Sequence, residues 1–290
     1  MQHLIDTTDF SDTQIMQIIQ DAKSFKNQYP PKLLQNKLII TLFFEASTRT
    51  RSSFEVAAKR LGASVVHLDP SRSSTKKGET LHDTFANLCA MDPDGVIIRH
   101  SQNDTPTQLA NLNLTPVINA GAGNYAHPTQ ALLDFFTIYE HFDGDIQGKK
   151  VAIVGDIANS RVASSDIRLF TRMGLDVHLV ASDELLPDTS LPTHQSVEEI
   201  IDDIDIIISL RAQIERHQNS DSDYSKFASY CITKELMQDR DILLMHPGPV
   251  IRNIDISDEM LEDSRCKVLT QVNNGVFIRM AILKLLLLDN

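Results

Sequence analysis

Leu38-Ile-Ile-Thr-Leu-Phe-Phe-Glu-Ala-Ser-Thr-Arg-Thr-Arg51 is the stretch whose reading decides the fold class. Its first seven residues are apolar or β-branched and lack the polar alternation of a half-exposed strand, which marks a strand buried on both faces. The next seven bring hydroxyls and two arginines to the point where Phe54, Ala57, Ala58 and Leu61 begin a helical stripe, with Gly62 as its C-cap. A strand that turns directly into a helix is the repeating unit of an alternating α/β chain.

The same alternation extends in both directions. Upstream, Ser11 with Gln14 three residues later forms a capping-box pattern ahead of Ile15, Ile18, Ile19, Ala22 and Phe25 at helical spacing. Downstream, residues 64–68, 95–99 and 116–119 read as buried strands, and Leu81, Thr84, Phe85 and Leu88 as a helical stripe between them. Residues 128–142 read as a long helix with proline in its first turn, broken by Asp143-Gly144. A second series follows, with strands at 150–154, 176–180, 205–210 and 242–245 and a helix announced by Ser196-Val-Glu-Glu199. The closing stretch, 273–288, carries Val276, Phe277, Met280, Leu283 and Leu287 on one side and so is expected to dock. The predicted architecture is α/β: two domains, each a parallel sheet flanked by helices, joined by long helices. The first spans 1–128 and is completed by the C-terminal helix 273–290; the second spans 129–272.

Composition narrows the function classes. The net charge is −12 over 290 residues, which argues against a nucleic-acid or acidic-membrane surface, since such binding needs a basic face. No apolar run reaches the ~20 residues that span a bilayer, and the Leu-rich end is interrupted by Arg279 and Lys284. The first residues lack the basic start and apolar stretch of a signal peptide, so a cytoplasmic protein is expected. Cys89, Cys231 and Cys266 are odd in number and widely spaced, which supports neither disulfides nor a zinc site and predicts reduced, mostly buried thiols.

Any bound anion must therefore meet locally clustered cations. Ser47, Thr48, Arg49 and Thr50 lie at a strand end where the next helix offers unpaired N–H groups and the positive end of its dipole, an anion cradle suited to phosphate. Taken singly, these hydroxyls fit plain helix capping equally well. The loop 71–79, with Ser73 and Lys77, reads by itself as a solvated surface loop. A lone histidine such as His127, here followed by Pro128, Thr129 and Gln130, is more often structural than functional. The phosphate-loop pattern of nucleotide triphosphatases is absent: Gly144 to Gly148-Lys149 is one residue short and Lys150 follows. The dinucleotide glycine spacing is also missing after Val154.

Together, Phe44-Glu-Ala-Ser-Thr-Arg-Thr-Arg-Ser-Ser-Phe54, Lys77-Gly-Glu79, Arg99-His100, His127-Pro-Thr-Gln130 and His246-Pro-Gly-Pro249 resemble, in order and spacing, the aspartate and ornithine carbamoyltransferases. The resemblance runs over nearly the whole chain, through Asn274-Gly275-Val-Phe277. It implies transfer of the carbamoyl group of carbamoyl phosphate to an amine, with no metal and no cofactor, in a homotrimer whose active sites are shared between subunits.

The residues then take implied roles. Ser47, Thr48, Arg49, Thr50 and Arg99 hold carbamoyl phosphate. Thr50, Arg99 and His127 donate to its carbonyl oxygen, and Gln130, Pro247, Gly248 and Pro249 surround its amide. Lys77, with Ser73 nearby, comes from a neighbouring subunit. The resemblance also implies a cis Gly248-Pro249 bond.

The acceptor is read from the second half. Aspartate has two carboxylates and needs fixed cations, whereas ornithine's ammonium needs an acidic or carbonyl-lined pocket. Arg161, Arg211 and Gln213 sit just beyond predicted strands and favour aspartate, as does Ser47-Thr-Arg-Thr-Arg51 where ornithine enzymes typically show Ser-Met-Arg-Thr-Arg. Aspartate carbamoylation would be the committed step of de novo pyrimidine biosynthesis. Val162 departs from relatives that carry a hydroxyl there, and Gly248 from relatives with a larger residue. The polar stretch 218–229 is expected to act as a lid. Two rivals stay open: another amino acceptor such as ornithine, and a non-catalytic anion-binding module. Whether trimers pair, or regulatory chains or a dihydroorotase attach, also stays open.

Overall fold

The computed structural model describes residues 1–68, 79–212, 227 and 229–288. Ser73, Lys77 and Gln213, and most of the expected lid (218–226 and 228), lie outside the described residues. The chain divides into two compact units, Met1–Leu133 with Val272–Asn290, and Asp134–Gln271.

The elements of the first unit are α1 (Asp12–Asn27), β1 (Leu38–Phe43), α2 (Thr48–Arg60), β2 (Ser64–Leu68), α3 (Leu81–Cys89), β3 (Gly95–His100), α4 (Thr105–Ala110) and β4 (Val117–Ala122). The expected box starts α1: the Ser11 hydroxyl accepts from Gln14 N at 3.2 Å while Gln14 Oε1 accepts from Ser11 N at 3.0 Å. Its apolar stripe, Ile15 to Phe25, is buried, each large side chain contributing about 1.5–3 kcal/mol by area transfer. The four strands form a parallel sheet in the order β2-β1-β3-β4. Ile40, Leu42, Val96, Ile98 and Val117 pack with Phe85, Leu88 and Leu109 of α3 and α4 in one core. An isolated bridge pairs Leu4 with Ile118 and ties the amino terminus to β4.

The second unit holds β5 (Lys150–Val154), α6 (Arg161–Arg172), β6 (Asp176–Val180), β7 (Thr193–His194), β8 (Ile206–Ser209), α7 (Lys234–Met237), β9 (Leu243–Met245) and α8 (Asp258–Leu261). Its parallel sheet has the order β7-β6-β5-β8-β9. Two more helices complete the chain, α5 (Pro128–His141) and α9 (Val268–Leu287).

The structure departs from the sequence reading at several local points. The pattern at Ser196 yields only a 3-10 turn, Val197–Glu199. Ser196 makes no capping bond there, and the Glu199 carboxylate accepts from Gln195 N instead, at 3.2 Å. Strand β7 is too short to carry a periodic signal. The closing helix starts at Val268, five residues before the first residue expected of it. The cysteines are free but half-buried, and burial pushes the Cys89 thiol up to about 11. No helix among the described residues is long and apolar enough to cross a membrane.

Candidate active site

Both sheets reverse strand order part-way across, and in open parallel sheets the crevice beyond the strand ends at such a reversal is the preferred ligand position. In the first sheet the reversal lies between β1 and β3. Residues 45–50 leave β1 there, and Arg99 closes the paired register opposite Phe43. Phe44 N donates to Arg99 O at 2.9 Å, so the cradle and Arg99 issue from neighbouring strand ends.

The start of α2 breaks two local rules at once. Ser47, in the N-cap position, makes no side-chain capping bond, and the first turn contains no acidic residue. Arg49 and Arg51 sit there instead, at the positive end of the helix dipole, where a cation costs about 0.3–1 kcal/mol. By contrast Ser11, Thr80 and Ser160 cap α1, α3 and α6 with hydroxyl bonds. For Ser47, capping is therefore not the explanation, and an anion would relieve both features. Thr50 is buried and Arg49 exposed. Arg51 Nη1 lies 2.9 Å from His67 Nε2, and His67 Nδ1 lies 2.9 Å from Thr41 Oγ1. Because arginine only donates, that ring carries its proton on Nδ1.

Arg99 donates from Nε to Glu45 Oε2 at 3.2 Å and from Nη1 to Ala120 O at 3.4 Å. Its neighbour His100 has a structural role. His100 Nδ1 accepts from Gln102 N at 3.0 Å, its ring meets Phe44 edge-on at 4.8 Å, and burial holds its pKa below the ordinary value.

His127 precedes Pro128, the first residue of α5, and its carbonyl accepts from Gln130 N at 2.9 Å. His127 and Gln130 are both buried. Arg279 supports this corner and was not anticipated from sequence. It lies buried in α9 and donates to Gly275 O at 3.1 Å and to Thr129 Oγ1 at 3.4 Å. Its guanidinium carbon stands 5.0 Å from the centre of the Phe54 ring on α2. A Cβ at Gly275 would fall 2.6 Å from Arg279 Nη1, so the glycine makes room for the cation. That Gly-x-x-x-Arg spacing was the available signal.

In the second sheet the reversal lies between β5 and β8. Val154 pairs with Ser209, and Leu210 N donates to Val154 O at 2.9 Å. Arg161, the buried first residue of α6, follows the β5 loop; half-buried Arg211 follows β8. Here too a cation stands in a helix first turn that holds no acid, with Ser160 Oγ accepting from Ala163 N at 3.2 Å. Pro247, Gly248 and Pro249 follow β9, whose Met245 pairs with Ile208. The Gly248-Pro249 bond is cis, as expected, and Gly248 has φ +72, in the left-handed region that favours glycine. Among the described residues, no group of three or more His, Cys, Asp or Glu side chains is arranged to hold a metal ion.

Two family models match, in order, most of the chain. Residues 2–140 match the aspartate/ornithine carbamoyltransferase carbamoyl-P binding domain, and residues 147–286 match the Asp/Orn binding domain of the same family. The chain belongs to the aspartate/ornithine carbamoyltransferase family. Among carbamoyltransferases, it is 69% identical over 292 residues to the aspartate carbamoyltransferase catalytic subunit of a Sulfurovum strain, covering 100% of this chain and 99% of that protein. It is 57% identical over 295 residues to that of Aliarcobacter butzleri, with 100% and 99% covered.

Of solved carbamoyltransferase structures, the catalytic subunit of M. jannaschii aspartate transcarbamoylase superposes with a TM-score of 0.90 at 33% identity, covering 100% and 99% of the two chains. Trypanosoma cruzi aspartate transcarbamoylase in complex with N-(phosphonacetyl)-L-aspartic acid gives 0.89 at 30%, covering 97% and 94%. Ornithine carbamoyltransferase from Pyrococcus furiosus also gives 0.89, at 28%, covering 99% and 97%. Carbamoyltransferases of either acceptor thus share this fold, and the acceptor is a matter of side chains.

Proposed function

We propose that this chain transfers the carbamoyl group of carbamoyl phosphate to the amine of L-aspartate, releasing N-carbamoyl-L-aspartate and phosphate, the committed step of de novo pyrimidine biosynthesis. The observation that carries the choice of acceptor is the pair Arg161 and Arg211, issuing from adjacent strands where the second sheet reverses. Two fixed cations match a dicarboxylate and repel the side-chain ammonium of ornithine. The names of the relatives at 57–69% identity support the same choice.

In this reading residues 1–128 with 273–290 form the carbamoyl-phosphate-binding domain and 129–272 the aspartate-binding domain. Carbamoyl phosphate binds first, its phosphate on Ser47, Thr48, Arg49 and Thr50, with Arg99 reaching both the phosphate and the carbonyl oxygen. Thr50, Arg99 and His127 donate to the carbonyl oxygen, where negative charge develops as the carbon becomes tetrahedral. Gln130 and the carbonyls of Pro247 and Gly248, with Pro249 beside them, fix the carbamoyl amide. Arg161, Arg211 and Gln213 hold aspartate with its amine towards that carbon, so a two-body encounter becomes a local one. The neutral amine forms the C–N bond, the C–O bond to phosphate breaks, and the departing phosphate takes the amine proton. No metal, cofactor or separate protein base is needed for that exchange.

Lys77 and Ser73 reach the site from a neighbouring subunit of a homotrimer, to which regulatory chains or a dihydroorotase could attach. The acidic charge and the lack of a described membrane-crossing helix fit a cytoplasmic enzyme with neither nucleic acid nor membrane as partner. Product analysis after incubation with carbamoyl phosphate and either aspartate or ornithine tests the reading. Carbamoyl aspartate is expected. Carbamoylation of ornithine alone would reject the acceptor, and phosphate binding without any transfer would favour an anion-binding module.

A further inference from the structure

The loop after β9 poses a positioning problem. Pro247 and Pro249 have no backbone N–H, and Gly248 has the widest conformational freedom of any residue, so the turn has few donors of its own to fix the backbone that carries their carbonyls. Side chains do so instead. Gly248 N donates to His246 Nδ1 at 2.8 Å. A backbone N–H can only donate, so Nδ1 carries the lone pair and the ring proton sits on Nε2. Nε2 lies 3.1 Å from Asp255 Oδ2, and the same oxygen accepts from Ile251 N at 2.7 Å. One carboxylate oxygen therefore grips the loop on both sides of the Pro247-Gly248-Pro249 turn.

The grip extends to the strand that presents Arg211. Ser209 Oγ donates to the Asp255 carbonyl at 3.2 Å, two residues before that arginine. His246 N donates to Gln271 Oε1 at 2.9 Å, and Gln271 Nε2 donates to Asp134 Oδ1 at 2.6 Å. The side chains of His246 and Asp255 are 0% and 2% exposed. Burying a carboxylate costs desolvation that an apolar pair of similar volume would avoid, so stability alone explains the pair poorly.

We infer that Asp255, acting through His246, is a positioning residue for carbamoyl transfer: it sets where the Pro247 and Gly248 carbonyls meet the carbamoyl amide. The inference rests on the reading given under Proposed function. Asp255 is assigned to neither substrate, and the phosphate end of carbamoyl phosphate is assigned to residues 47–50 and Arg99, so the two ends of that substrate separate the effects.

The test uses the full-length protein with Asp255→Ala and Asp255→Asn, assayed for carbamoyl aspartate formation, for inhibition by inorganic phosphate, and for thermal unfolding. Since an ångström of misplacement costs up to about 100-fold in rate, Asp255→Ala should lose about 10- to 100-fold in kcat/KM for carbamoyl phosphate, with the phosphate inhibition constant within about twofold of wild type. Asp255→Asn, whose amide oxygen can accept both bonds, should recover most of that loss. A folded Asp255→Ala enzyme with wild-type kcat/KM overturns the inference alone, as does parallel loss of phosphate affinity, which signals general damage. Wild-type protein that carbamoylates no aspartate overturns the parent reading as well. Should Asp255→Ala not fold, the His246 tautomer in the wild type, read by long-range nitrogen–proton NMR correlations at neutral pH, decides. Protonated Nε2 supports the relay and protonated Nδ1 refutes it.

Discussion

Glu45 holds Arg99 through a 3.2 Å ion pair between Oε2 and Nε, at the strand ends where the first sheet reverses its order. The two side chains are 27% and 13% exposed, so the pair is partly screened. A phosphate seeking the Arg99 fork must compete with a carboxylate already on it. Glu45→Gln should therefore bind inorganic phosphate about two- to fivefold tighter, the range expected for a pair worth up to ~1 kcal/mol. The gain should shrink at high salt. Calorimetric titration at two ionic strengths measures it, and weaker phosphate binding in the variant would rule out the competition.

Arg211 follows β8 and is assigned to an aspartate carboxylate. A charge-assisted hydrogen bond is worth about 1.5–3 kcal/mol, so Arg211→Ala should raise the aspartate KM about 10- to 150-fold. The KM for carbamoyl phosphate should stay near wild type. Initial-rate kinetics with each substrate varied in turn separates the two, and an unchanged aspartate dependence would reject the assignment.

Lys77 and Arg49 are assigned to the same active site from different subunits. Lys77→Ala and Arg49→Ala proteins should each be nearly inactive. Dissociated and reassembled as mixed trimers, they should regain part of the wild-type rate, because some hybrid sites receive both wild-type residues. Verified hybrids without recovery would mean that each protomer is self-sufficient.

Asp166, on α6 with Arg161, is fully buried, and neither of its oxygens has a hydrogen-bond partner among the described residues. Burial first, and the Asp134 carboxylate second, push its pKa well above the usual range. A carboxyl group raised in the folded state stabilises fully below its unfolded pKa, and that contribution is lost as pH rises through the folded value. Asp166→Asn cannot ionise, so its Tm advantage over wild type should be larger at pH 8 than at pH 5, by about 2–4 °C per kcal/mol of penalty relieved. Thermal unfolding at both pH values checks this. A gap that narrows with rising pH would contradict it.

Much of the architecture was legible because its signals are local. The Ser11 box, the buried runs at 38–43 and 150–154, and Pro128 opening α5 each depend on residues within one turn or one strand of each other. Where a local signal failed, a competing local bond was the reason: Glu199 turned to Gln195 N, and Ser196 capped nothing. The cradle was partly legible. Hydroxyls and arginines after a strand suggested an anion, but Ser47 could equally have been a cap until its side chain was seen to make no such bond.

The sequence by itself determined the element types, the parallel α/β class and the cationic residues placed just beyond particular strands, because periodicity, capping and turn chemistry act over a few residues. Only the tertiary structure decided which strand ends became neighbours. Strand order sets β1 beside β3 and β5 beside β8, bringing Glu45 to Arg99 across 54 positions, and Arg279 reaches Thr129 across 150. Such pairings follow from burying both faces of a whole sheet at once, a condition that no single segment carries.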